Sequence, residues 1–156
     1  MVIAVDFDGT CVSHAYPNIG VEIGASQVLK ALTENGHRII LHTMRCDRTR
    51  VNASMTGMKP EYRDCLSEAV NWFKVHDIPL YGVNENPDQK NWTASPKIFA
   101  NLYIDDATLG APMYLKHIDW REVLQILYLR QLITKVQVDK IRANLDWKRE
   151  TSTIVK

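Results

Sequence analysis

The sequence predicts an α/β fold built on a parallel sheet, and three observations carry that expectation. Short β-branched apolar runs alternate along the chain with longer amphipathic stretches. The short runs are continuously apolar, as in strands buried on both faces. Three of them stop at polar residues, Asp6, Thr43 and Asp105. Ligands bind beyond the carboxyl ends of strands in such sheets, so these polar groups fall on one edge.

The elements follow in order. Residues 2–5 (VIAV) form the first strand, ending at Asp6. Residues 25–34 place Val28, Leu29 and Leu32 on one helical face, and Asn35-Gly36 supplies the stop. Residues 38–43 read as the second strand. A long helix is expected over 60–76, with Pro60 in its first turn and Leu66, Ala69, Val70 and Phe73 at helical spacing. Residues 78–83 read as a third strand and 102–104 as a fourth, with a short fifth around 112–115. Residues 119–134 form an amphipathic helix carrying Val123, Ile126, Leu127, Leu129 and Leu132, and another helix runs from 136 to about Trp147. The polar stretch 84–95 reads as a loop leading to Lys97.

A chain of 156 residues suits one domain over 1–156, with a core to about 118 and a C-terminal helical extension over about 119–150. A formal net charge of +1 gives no global electrostatic case for nucleic acid or an anionic membrane. The stretch from Lys135 on is locally basic and reads as a solvated helix face. Three cysteines without CxxC spacing argue against a disulfide framework or a zinc site. No apolar run is long enough for a spanning helix, and the N-terminus has no secretory pattern, so the expected location is the cytoplasm. The apolar positions Leu127, Leu129, Leu132 and Ile133 make a homodimer through the C-terminal helices the alternative to simple packing on the sheet.

Asp6-Phe7-Asp8-Gly9-Thr10 is the sharpest local feature. Two carboxylates straight after an apolar strand are costly unless a cation or hydrogen bonds meet them. Gly9 lets the backbone turn away. Asp105-Asp106 is a second carboxylate pair in the same setting, and the two pairs repel unless a divalent cation sits between them. Hard oxygen ligands at an open, hydrated site favour Mg²⁺. Thr43 and Lys97 add a hydroxyl and an ammonium for a negative group held there. Gly9, Thr10, Arg45 and His14 are the candidate substrate contacts: Arg45 has a planar fork suited to phosphate, and His14 lies with Tyr16 and Pro17 in the loop after the first acidic pair. Cys11 reads as a small buried apolar residue, and Trp72, Trp92, Trp120 and Trp147 as core or helix anchors.

The ordered set Asp6-x-Asp8-Gly9-Thr10, Thr43, Lys97 and Asp105-Asp106 resembles the four motifs of the haloacid dehalogenase-like hydrolase superfamily, over residues 1 to about 110. The resemblance implies a Rossmann-like three-layer sandwich with about five parallel strands, and Mg²⁺-dependent phosphoryl transfer. It implies that Asp6 is the nucleophile that becomes an aspartyl-phosphate, and that Asp8 protonates the leaving oxygen and then deprotonates water. Thr43 and Lys97 would hold the phosphoryl oxygens. Mg²⁺ would take the Asp6 side chain, the Asp8 main-chain carbonyl and one aspartate of the last pair: either Asp106, with Asp105 acting through water or holding Lys97, or the reverse. An aspartate at position 8 favours a phosphatase over a dehalogenase or a transport ATPase.

The intervals 10–25 and 83–97, each about fifteen residues, are too short for a cap domain, so the resemblance is to capless members. The expected substrate is a small phosphorylated molecule or the phosphorylated end of a larger one. The alternatives are a catalytically idle interaction module on the same fold, or a phospho-accepting module of the response-regulator type. The second has its lysine last, whereas Lys97 precedes Asp105-Asp106 here.

Overall fold

The computed structural model describes residues 1–51 and 61–144. Strand β1 (Val2–Val5) leads through a long loop to helix α1 (Ala25–Glu34) and strand β2 (Arg38–Leu41). A small antiparallel ribbon follows, β3 (Thr49–Arg50) with β4 (Tyr62–Arg63), and then helix α2 (Cys65–Val75) and strand β5 (Leu80–Val83). Strand β6 (Leu102–Ile104) precedes a second ribbon, β7 (Met113–Tyr114) with β8 (His117–Ile118), and helices α3 (Trp120–Leu129) and α4 (Lys135–Asn144) close the described chain.

Four strands form the parallel sheet, in the order β5-β2-β1-β6. The expected fifth parallel strand is absent among the described residues. Residues 113–114 pair instead with 117–118, because the chain reverses at Leu115, which holds a positive φ of 57°, and Pro112 brings no amide donor to a ladder. The expected helix over 60–76 begins at Cys65, its first residues being taken by the β3–β4 ribbon; Pro60 lies outside the described residues. The expected helix over 119–134 stops at Leu129, where Arg130 caps it and Gln131 turns into the left-handed region. Residues beyond 144, including Trp147 and much of the basic tail, also lie outside the described residues.

Local capping agrees with the sequence. The Glu22 carboxylate accepts from the amides of Gly24 and Ser26 at the start of α1, and Asp119 accepts from the Arg121 amide at the start of α3. Thr134 and Gln137 exchange side-chain and backbone hydrogen bonds in a capping box before α4.

Topology decides which face of the sheet the helices cover. The chain steps one way from β1 to β2 to β5, then returns past β1 to β6. Right-handed crossovers put the first two connections on one face and the last on the other. The buried residues of all four helices accordingly join Ile3, Val5, Ile39, Leu41 and Ile104 in one cluster. Ala4 and Ile40, alternate to these and also buried, lie outside it on the opposite face. The crossover on that side, residues 84–101, holds a single 3₁₀ turn at Gln89–Asn91 and no α-helix. Of the four apolar positions considered for a homodimer, Leu127, Leu132 and Ile133 are buried in the cluster, whereas Leu129 is exposed. No helix among the described residues is long and apolar enough to cross a membrane.

Candidate functional site

The order reverses between β1 and β6, and the crevice beyond that switch point is where such sheets bind ligands. Asp6 follows β1, and Asp105-Asp106 follow β6. Residues Val5 and Ile104 are level in the register, and the Asp6 amide carries the pairing one step further to the Ile104 carbonyl at 3.0 Å. The result is a cluster of Asp6, Asp105 and Asp106 with one carboxylate oxygen from each within 4.8 Å of the others. All three are half-buried. Burial, followed by the charges of Asp105 and Asp106, pushes the Asp6 carboxyl up from 3.8 to about 7, against opposing hydrogen bonds from the Phe7 amide and the Thr10 hydroxyl.

The turn after Asp6 is tight. The Phe7 carbonyl accepts from the amides of Thr10, Cys11 and Val12 at 3.3, 2.8 and 3.2 Å. Gly9 sits at φ +81°, and a Cβ there would lie 2.3 Å from His14 Nε2 and 2.5 Å from Asp106 Oδ2. Only glycine lets the first loop approach the last acidic pair this closely. Thr10 is fully buried; its hydroxyl accepts from the Asp106 amide at 3.1 Å and also bonds the Asp6 side chain. Gly9 and Thr10, expected as substrate contacts, therefore hold the two acidic segments together. Trp120 braces the same loop, its indole N–H donating to the Thr10 carbonyl at 2.6 Å, and the Ile118 amide donates to the Gly9 carbonyl at 2.8 Å. The buried Cys11 thiol donates to the Asp6 carbonyl.

His14, also expected as a substrate contact, bonds Asp106 Oδ2 through Nε2 at 2.9 Å. Asp105 does not hold Lys97: its Oδ1 accepts from the Ala107 amide at 2.7 Å. Among the described residues, neither Asp6 nor Asp105 has a cationic side-chain partner.

Asp8 is paired with an arginine. Both its oxygens accept from Arg45, Nε and Nη2 each at 2.7 Å. The same guanidinium donates to the carbonyls of Pro17, Asn18 and Cys65 at 3.3, 2.7 and 3.4 Å. Its carbon lies 5.0 Å from the Phe7 ring centroid and 5.3 Å from that of Tyr16. Arginine has five N–H donors, and all five are spent. Arg45 is 2% exposed. The expectation that it meets a substrate phosphate is corrected here: it is the buried counter-ion that fixes Asp8 and the 16–18 loop.

Thr43 lies just beyond β2, at the same edge. Its amide donates to the Asn84 side chain at 2.8 Å, and its hydroxyl accepts from the Arg45 amide at 3.2 Å. Lys97 is exposed, and among the described residues its ammonium makes no hydrogen bond or ion pair. It lines a cleft of about 360 Å³ with Gln89, Trp92, Phe99 and Tyr103. The geometry thus brings Asp6, Asp105, Asp106, Thr10, Gly9 and His14 together, sets Asp8 with Arg45, and keeps Lys97 out of contact with the acidic cluster. The Trp120 brace and the His14–Asp106 bond have no signal in the sequence, since each joins residues far apart in the chain.

Two outcomes follow for variants. Gly9→Ala forces a side chain into the His14–Asp106 contact at a left-handed φ; it should lower stability by more than about 1 kcal/mol and weaken divalent-cation binding, read by calorimetric unfolding with and without Mg²⁺. Arg45→Met leaves Asp8 and three carbonyls without their donor; a loss of about 3–5 kcal/mol is expected in urea unfolding. Arg45→Lys should recover only part of it, because one ammonium cannot serve five acceptor contacts.

No family model matches the chain, and no curated protein is significantly similar to it. A solved structure of a conserved protein from Bacteroides thetaiotaomicron is similar to it, with 31% sequence identity, coverage of 88% of this chain and 96% of that chain, and a TM-score of 0.61. At that identity, over nearly the whole of both chains, this chain belongs to the same family as the Bacteroides protein.

Proposed function

We propose that the protein is a Mg²⁺-dependent phosphomonoesterase of the haloacid dehalogenase-like hydrolase type, working through an aspartyl-phosphate on Asp6. On this reading the sheet is the core of a Rossmann-like fold without a cap domain, and the substrate is a small phosphate ester or the phosphorylated end of a larger molecule. The observation that carries the reading is the convergence of Asp6, Asp105 and Asp106 within 4.8 Å at the switch point of the sheet. The donor set fits a hard divalent cation: three carboxylates, half-buried, with no lysine or arginine paired to them among the described residues. Asp6, Asp106 and Asp105 would hold the ion, which would neutralise their mutual repulsion and withdraw charge from a phosphoryl oxygen. A cytoplasmic location accords with three cysteines that are all free thiols.

The chain's own groups divide the work. An Asp6 oxygen attacks phosphorus, and the bond from phosphorus to the ester oxygen breaks as the new bond forms. The departing oxygen keeps the electron pair and takes a proton from Asp8. Water then attacks the phosphorus of the aspartyl-phosphate and gives its proton to Asp8, and the bond between phosphorus and the Asp6 oxygen breaks, releasing phosphate. Arg45 is a positioning residue here. It spends one acceptor site on each Asp8 oxygen and leaves the remaining lone pairs for the proton. Thr43 stands at the same edge to contact the phosphoryl group, and Lys97 reaches it only by swinging its long stem from the neighbouring cleft.

Hydrolysis of an aryl phosphate should require Mg²⁺ and stop with EDTA. Asp6→Asn should abolish turnover, and Asp8→Asn should slow it by roughly 10²–10⁴-fold; unchanged activity in Asp6→Asn would rule out the nucleophile.

The raised Asp6 carboxyl sets a pH dependence. Its unfolded value is 3.8 and its folded value about 7, so the stability linked to its protonation is complete below the unfolded value and is lost as pH rises toward the folded one. A cation takes the place of that proton. Mg²⁺ should therefore raise Tm more at pH 8 than at pH 5.5, and Asp6→Asn should remove the difference, as thermal unfolding at the two pH values will report.

A further inference from the structure

The face of the sheet opposite the helices carries a cleft that the phosphatase reading leaves unused. Trp92, Phe99 and Tyr103 line it and are 62%, 43% and 37% exposed. Lys97 lines it too, with no ion-pair partner among the described residues. At about 360 Å³ it falls within the size range of small-molecule sites.

This cleft is built rather than incidental. The buried Gln89 side chain staples the crossover: its amide donates to the carbonyls of Ser95 and Lys97, each at 2.8 Å, and its oxygen accepts from the Phe99 amide at 2.7 Å. Asn86 donates to the Phe99 carbonyl at 2.9 Å. The Tyr103 hydroxyl donates to the Ile98 carbonyl, which ties the strand to the same loop. Trp92 and Phe99 stand edge to face, ring centroids 5.6 Å apart. The rings are thereby held in place before any ligand arrives, which lowers the entropy cost of binding.

Its position relative to the acidic cluster follows from strand geometry. Tyr103 pairs with Ala4 in the register. Side chains two apart share a face, so Tyr103 lies on the face of Asp105, and Ala4 on that of Asp6. The step from Tyr103 to Asp105 is about 7 Å along the strand. A phosphoryl group at the carboxylates and a planar group in the cleft that Tyr103 lines therefore fall within the span of one molecule of modest size.

We propose that this cleft binds the base of a nucleoside 5′-phosphate whose phosphoryl group sits at Asp6, Asp105 and Asp106. Every base offers a flat π-face to stack on an aromatic side chain, and stacking one base tightens binding by about 5- to 150-fold. Lys97, on the cleft wall, supplies a cation that can follow the phosphate by a swing of its long stem. The assignment rests on the phosphatase reading for the placement of the phosphoryl group, and it names the leaving group that reading leaves open.

The test compares AMP with ribose 5-phosphate, which shares its phosphate and sugar and lacks the base. Calorimetric titration of the full-length Asp6→Asn protein with Mg²⁺ reads binding free of turnover. AMP should bind at least about 5-fold tighter than ribose 5-phosphate. Trp92→Ala should bring the ratio toward one, and Trp92→Phe should restore it. A 5′-phosphorylated trinucleotide run beside AMP separates a free nucleotide from a strand end; tighter binding of either than of ribose 5-phosphate supports the cleft. Equal affinities throughout, an unchanged ratio in Trp92→Ala, or no measurable binding of any base-bearing ligand overturns the proposal. Aryl phosphate hydrolysis by the wild-type protein is read separately. Turnover with no preference for the base sinks the cleft alone, and a preference for the base without turnover sinks the phosphatase reading alone.

Discussion

Three carboxylates whose oxygens come within 4.8 Å of one another, in a half-dry crevice, are the constraint around which this molecule is organised. In water the repulsion would be slight; at the reduced effective dielectric of a protein edge each pair costs several times more. Among the described residues, no lysine or arginine pairs with the cluster to relieve the repulsion. The fold leaves Asp6 partly protonated near neutrality, and it spends its neighbouring hydrogen bonds on holding the carboxylates still: Thr10 between Asp6 and the Asp106 amide, His14 on Asp106, and the Ala107 amide on Asp105. On the proposed reading, a site held rigid against its own repulsion takes its counter-charge from a bound cation.

A second charge system beside it is solved in the opposite way. Asp8 is matched internally by Arg45, whose guanidinium is buried, flanked by the Phe7 and Tyr16 rings, and fully saturated with acceptors. Breaking such a pair costs far more than an exposed ion pair, because either partner left alone is a desolvated charge. The contrast separates the roles of two aspartates only two residues apart. One stands in a cluster of carboxylates, and the other is pinned by an internal cation. Gly9 makes the separation possible, since the chain must turn through a left-handed conformation between them and leave room for Asp106.

Much of the sheet and the acidic cluster could be read from the residues, because both depend on local pattern. Continuous apolar runs give buried strands, and a parallel sheet brings the ends of β1 and β6 to one edge whatever the details of packing. Asp6, Asp105 and Asp106 were therefore legible as a set. What could not be read depends on contacts across the chain. Arg45 has the same sequence signature whether its fork meets a substrate or Asp8, and only the folded 16–18 loop and the Cys65 carbonyl decide between them. His14 was legible as a residue near the site but not as a partner of Asp106, 92 positions away. The fifth strand failed for a local reason: Leu115 turns with positive φ, so two-residue strands close on each other before the chain reaches the sheet.

Handedness settles what covers the site. Because β1, β2 and β5 advance in one direction, right-handed crossovers commit α1 and α2 to the face of the main hydrophobic cluster. The return to β6 has to pass over the other face, where Ala4 and Ile40 need cover and where Asp6 and Asp105 project. An α-helix there would roof that face with an apolar stripe. The polar, proline-interrupted sequence 84–101 cannot form one, so it covers the strands with Gln89-stapled loop and leaves Trp92, Phe99 and Lys97 at the surface. On the proposed reading, the connection that topology sends to the face of Asp6 and Asp105 is also the one that carries the aromatic cleft, so recognition falls to it.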